Sequence, residues 1–153
     1  MARGERRSDR MRSIEAISLR EAQDLAGRME RQAQVVREAE QRLEELTDYL
    51  TGYAAEQAEK SQAEGVSAMQ LTETHLFMQK LRHAVSLQAQ TVEKARSNYE
   101  SCRAKWIAQH VRSSALGSAV HRFEDEEARE LSRREDRIQD EVAARYHGTR
   151  KPG

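Results

Sequence analysis

The chain has 153 residues, of which 34% are charged and 5% aromatic, and its mean hydropathy is -0.93. A rounded domain of this length hides roughly two thirds of its unfolded surface, which needs more bulky side chains than two Phe, one Trp and four Tyr accompany here. Lys plus Arg equals Asp plus Glu at 26 each, so no net field selects a nucleic acid or an anionic membrane, and the composition leaves elongated helix, coiled coil or disorder.

The first residues, MARGERRSDRMRS, are basic but lack the apolar run of a signal peptide, and no apolar stretch is long enough to span a bilayer. The arginines Arg3, Arg6, Arg7, Arg10 and Arg12 are interrupted by Glu5 and Asp9. With no recognised motif and no basic helical face beside them, no nucleic-acid partner is expected. Residues 1–11 are expected to be disordered, with helix one running from about 12 to 60. The only proline is Pro152, so nothing up to Lys151 removes a backbone donor or forces a helix to stop. In this stretch Ala22, Leu25, Met29, Gln32, Val36, Ala39, Leu43, Leu46, Leu50 and Tyr53 recur at spacings that alternate between three and four, which is a heptad seam with a polar layer at Gln32. Gly27 and Gly52 cost about 1 kcal/mol each relative to Ala and soften this helix without ending it. Acids four residues before bases, Asp24 with Arg28, Glu38 with Arg42, Glu56 with Lys60, Glu130 with Arg134 and Glu141 with Arg145, support helix at roughly 0.2 to 0.5 kcal/mol per pair.

Residues 61–67 are read as a turn near Gly65, and residues 68–145 as helix two. The second helix has its own seam at Met78, Leu81, Val85, Gln88, Val92, Ala95, Tyr99, Cys102, Trp106 and Gln109, again alternating between three and four. Facing residues of an antiparallel pair have numbers that add to a constant. Leu50 with Leu81, Leu43 with Gln88, Val36 with Ala95 and Leu25 with Trp106 all sum to 131, which places the turn between Gly65 and Val66. The fold class is therefore all-α: one domain over residues 1–153, a long antiparallel two-helix coiled-coil hairpin whose second helix is the longer. Its paired part would be about 75 Å long at 1.5 Å per residue. The stretch VRSSALGSAV, residues 111–120, permits a bend without requiring one, and residues 146–153 are expected to be disordered.

Two apolar surpluses remain. With helix one starting near Arg12, everything beyond Gly117 lacks an intrachain partner, yet Val120, Phe123, Leu131, Ile138 and Val142 continue an apolar stripe. That stripe reads either as a surface for another chain or as a solvated tail. Nearer the turn, Phe77, Leu81, Ala84 and Gln88 form a second stripe beside the seam, at the height of Tyr49 and Tyr53. The cluster reads as a hot-spot patch for a partner or as a local widening of the core.

No catalytic constellation accompanies these features. The histidines His75, His83, His110, His121 and His147 show no metal-ligand spacing, and the glycines are scattered rather than gathered into a phosphate loop. Cys102 falls on the seam, excludes an internal disulfide and suits a reducing compartment. No enzyme activity, cofactor or metal is expected, and no direct membrane insertion.

The segment DYLTGY, a glycine turn and then FMQKLRHAVSLQ resemble the middle of the FliJ family of flagellar export proteins, and the ending DEVAARYHGTRKPG resembles the family's C-terminus. The likeness covers about the whole chain. It implies a non-catalytic, cytoplasmic component of the flagellar type III export apparatus, held at the cytoplasmic face of the inner membrane through that apparatus and monomeric alone. Its implied partners are the export ATPase FliI with its regulator FliH, the cytoplasmic domain of the gate protein FlhA, and export chaperones. By the same resemblance Tyr49, Tyr53, Phe77, Leu81, Ala84 and Gln88 would form the gate-binding patch; Gln88 stands where some members carry His. Leu25, Met29, Trp106, Val120, Phe123, Leu131, Ile138 and Val142 would form an arm contacting the ATPase. Two other readings stay open: a stalk protein of a virulence-type secretion system, and a generic coiled-coil chaperone or scaffold that self-associates through its C-terminal stripe.

Overall fold

The computed structural model describes residues 6–148. They form two helices, α1 (Arg7–Glu64) and α2 (Ala68–Gly148), joined by residues 65–67. The all-α architecture with a longer second helix is the one that the seams predict. Contacts between the helices fall into two compact units, Gln23–Ile107 and the described parts of Met1–Ala22 with Ala108–Gly153.

In the unit Gln23–Ile107, α1 and α2 pack antiparallel around the turn. Every predicted seam position from Leu25 to Tyr53 and from Met78 to Trp106 is buried or half-buried. The tightest point is Ala39, Val92 and Ala95, with Val36 and Leu43 packed against them. Two of these three are alanines, which lets the backbones approach while Val92 fills the gap. Near the turn Thr74 Oγ1 donates to Gln57 Oε1 at 3.3 Å, and their numbers sum to the expected 131.

The turn is shorter than predicted, because each helix carries its own stop or start signal. Gly65 has φ +69°, the left-handed conformation that ends a helix at small cost only for glycine. An added Cβ would meet nothing there, so the need for glycine is conformational. Two residues later Ser67 and Gln70 form a reciprocal cap: the Gln70 N–H donates to Ser67 Oγ and the Ser67 N–H donates to Gln70 Oε1, both at 3.2 Å. Helix one thus continues through Glu64 instead of ending near Lys60.

The other unit corrects the expected start of helix one. α1 begins at Arg7, not near Arg12, and there it packs against α2 through a seam that composition hides. Ser8, Ser18 and Ala22 are buried and Met11 and Glu15 half-buried on α1; Ser113 and Val120 are buried and Gln109, Leu116, Phe123 and Glu127 half-buried on α2. Both sets alternate between three and four, as the apolar seams do, but serine, glutamine and glutamate occupy half of the positions or more. The expectation that residues beyond Gly117 lack an intrachain partner is therefore wrong as far as Glu127. Residues 128–148 are all exposed. The stretch 111–120 is unbroken helix, with Ser113 and Ser118 hydroxyls donating to carbonyls four residues back. Helix two runs past 145 to Gly148. Of the segments expected to be disordered, Arg7 to Met11 and Tyr146 to Gly148 are helical, whereas 1–5 and 149–153 lie outside the described residues.

Val92 is the most completely enclosed side chain of its unit, at 2% exposure. Val92→Ala should lower stability by about 2 kcal/mol, from two lost methyl groups and the void they leave, measured by urea unfolding followed by circular dichroism. Leu87→Ala, at an exposed position, should stay within about 0.5 kcal/mol of the parent.

Candidate docking surfaces

The unit Gln23–Ile107 brings the predicted aromatic residues together. Tyr49 and Tyr53, one turn apart on α1, have ring centroids 6.5 Å apart, and Tyr53 meets Phe77 of α2 edge-on at 4.8 Å. Tyr53 occupies the seam, so it anchors the group; Tyr49 and Phe77 flank the seam and remain 56% and 37% exposed. The remaining members of the predicted stripe divide. Leu81 is buried, Ala84 is half-buried, and Gln88 turns inward, its Nε2 donating to the Ala39 carbonyl at 3.0 Å. Leu81 and Gln88 thus support the patch from the seam, while Tyr49, Phe77 and Ala84 carry its surface.

The unit of Met1–Ala22 with Ala108–Gly153 contains a polar layer whose hydrogen directions follow from the geometry. Gln109 Nε2 donates to the Ser18 carbonyl at 3.1 Å and to Ser18 Oγ at 2.8 Å. The Ser113 hydroxyl donates to the Gln109 carbonyl at 3.0 Å, so across the 2.8 Å contact between the two serines Ser18 is the donor and Ser113 the acceptor. Among the described residues no buried side-chain nitrogen or oxygen lacks a hydrogen-bond partner, so the layer avoids the penalty of an unpaired buried group.

Closer to the start of α1, Glu127 of α2 accepts from Ser8 Oγ at 2.6 Å and from the Ser8 N–H at 3.2 Å. A carboxylate from the opposite helix therefore caps the first turn of α1, where backbone donors have no partner of their own. These bonds, with Arg6 and Arg12 nearby, hold the Glu127 carboxyl below its ordinary value. Beside it Arg12 is bonded to Glu124, with Nε at 2.9 Å, and this pairing raises the arginine's own pKa.

The residues predicted for an ATPase-contacting arm are not one surface. Leu25, Met29 and Trp106 are half-buried in the seam of their unit, Val120 is buried and Phe123 half-buried against α1, and Leu131, Ile138 and Val142 are exposed at 57–60%. Of the five predicted surface ion pairs, Glu56 with Lys60 and Glu130 with Arg134 form. Among the described residues no group of His, Cys, Asp or Glu could hold a metal ion, and no helix is long and apolar enough to cross a membrane.

Fold and surfaces together define an all-α hairpin protein that offers exposed apolar faces on a polar, tightly seamed pair of helices. Within that class the chain belongs to the family described as Flagellar FliJ protein, whose model matches residues 7–152, and is accordingly a component of flagellar-type protein export. No curated protein and no solved structure matches it.

The cap supplied by Glu127 has a definite pH dependence. A carboxyl whose pKa is lowered on folding stabilises above its unfolded value, about 4.3, and loses that contribution as pH falls through the lowered folded value. Hydrogen-exchange protection of the first turn of α1 should be level from pH 7 to about 5 and fall in the acid range below the unfolded value. Glu127→Gln should reduce that protection at neutral pH and remove most of its acid dependence.

Proposed function

We propose that this chain couples the export ATPase FliI, with its regulator FliH, to the cytoplasmic domain of the export gate FlhA, and catalyses nothing itself. The gate engages the patch of Tyr49, Tyr53 and Phe77, and the ATPase engages the arm beyond Glu127 through Leu131, Ile138 and Val142. Through these contacts the chain is held at the cytoplasmic face of the inner membrane, where export chaperones and their cargo are handed over. The observation that carries the reading is the aromatic cluster. A chain with so few aromatic residues leaves Tyr49 and Phe77 partly exposed, one stacked on Tyr53 and the other meeting it edge-on. Rigid aromatic side chains held partly exposed are what protein interfaces use as anchors.

Coupling also needs the two contacts to be mechanically joined. Both α1 and α2 are continuous helices whose residue ranges extend through both compact units. No proline and no loop interrupts them.

Phe77→Ala should weaken binding to the gate domain about tenfold or more, the usual effect of losing an interface anchor, with helix content by circular dichroism unchanged. Normal gate binding by this variant would return the cluster to the role of a widened core. Truncation after Glu130 removes Leu131, Ile138 and Val142 while keeping the Ser8–Glu127 and Arg12–Glu124 pairs. Co-sedimentation should then show lost association with the ATPase and intact association with the gate domain; the opposite pattern would refute the assignment of the two surfaces.

A further inference from the structure

The exposed face of α2 around the aromatic patch differs in charge from the rest of the chain. Acids occur at 26 of 153 positions, about one in six, yet none lies between Glu73 and Glu93, a run of nineteen residues that contains Lys80, Arg82, His75 and His83. By the pairing constant this run faces residues 39–57 of α1, which hold five acids, Glu40, Glu44, Glu45, Asp48 and Glu56, against one base, Arg42. The hairpin is therefore charge-polarised across its seam at this level, basic along α2 and acidic along α1, within a chain of zero net charge.

Helical geometry sets what surrounds Phe77 and Ala84. On one side lie the seam residues Leu81 and Gln88, which are turned inward. On the other side, three residues beyond each, lie Lys80 and Leu87, both exposed, with Leu87 at 49%. Phe77, Ala84 and Leu87 thus share the outer face of α2, with Lys80 between Phe77 and Leu87 on that face and Tyr49 across the seam. Leu87 lies outside the seam and is not a member of the buried core cluster.

The geometry points to Tyr49, Phe77, Ala84 and Leu87 as the docking stripe, with Lys80 selecting a partner surface whose apolar anchor is flanked by carboxylates. This rests on the gate reading above and names the chemistry that the gate domain must present. The acidic side of that surface lies over α2 and away from α1, because the reverse orientation would set its carboxylates against Glu45 and Asp48. Charge polarity across the seam thereby fixes the direction of docking as well as its site.

The test uses the full chain and the gate's cytoplasmic domain, with association and dissociation rates followed over a range of salt. Leu87→Ala should speed dissociation about tenfold. Lys80→Glu should slow association about tenfold at low salt and flatten the salt dependence seen with the parent chain. Parent-like binding by both variants, with Phe77→Ala defective, would overturn the stripe and leave the gate reading intact; parent-like binding by Phe77→Ala would overturn both. Tighter binding by Lys80→Glu would show that the partner surface is basic and refute the inference. A dimer of the chain alone that Leu87→Ala dissolves would assign the stripe to a second copy and refute it equally.

Discussion

The structure depends on how closely the two helices approach along their seam. Where Ala39 and Ala95 meet around Val92, small side chains bring the backbones together, and the apolar contact excludes water without large residues. Among the described residues of the unit Gln23–Ile107 this is the one cluster of buried apolar side chains. Close approach also allows a hydrogen bond that wider packing would prevent: Gln88 reaches the carbonyl of Ala39 because alanine leaves that carbonyl open. In the other unit the same arrangement recurs, with Gln109 reaching the carbonyl of Ser18. Each pairs a glutamine of α2 with the carbonyl of a small residue of α1, and the residue numbers of both pairs sum to 127.

These glutamines bear on register. Were α2 to slip by one heptad, Gln88 would face Leu46 or Gln32 instead of Ala39, and a longer side chain would stand before the carbonyl it needs. A buried amide left without its acceptor costs roughly 1–3 kcal/mol. Apolar seam residues tolerate such a slip far better, since one leucine packs much like another. Polar layers therefore contribute less to stability than to choosing one alignment among several.

Much of this was legible in the sequence and some was not, for definite reasons. The seams of the unit Gln23–Ile107 and the position of the turn follow from spacing alone, because apolar residues at alternating intervals of three and four have one sensible partner arrangement. The cluster of Tyr49, Tyr53 and Phe77 follows from the same constant. By contrast the seam through Ser8, Ser18 and Ser113 carries no hydropathy signal, and a reading based on apolar recurrence starts α1 too late. Its spacing was nonetheless visible, as was the Ser67–Gln70 capping pattern, a serine followed three residues later by glutamine. What spacing cannot supply is side-chain direction. Nothing in the pattern distinguishes Gln88 turned toward Ala39 from Gln88 turned toward solvent, and nothing marks Leu87 as an outward companion of Phe77.

The three-residue turn has a consequence for how such a chain can change length. Because Gly65 and the Ser67–Gln70 cap fix where α1 ends and α2 begins, an insertion in α1 of this unit displaces every later pair unless the facing stretch of α2 grows by the same amount. Tolerated length changes should come as matched heptads, added or lost on both strands at equal distance from Gly65. Descendants of a common ancestor would then differ in reach while keeping Tyr53 opposite Phe77, so the distance from tip to patch is inherited even where the total length is not.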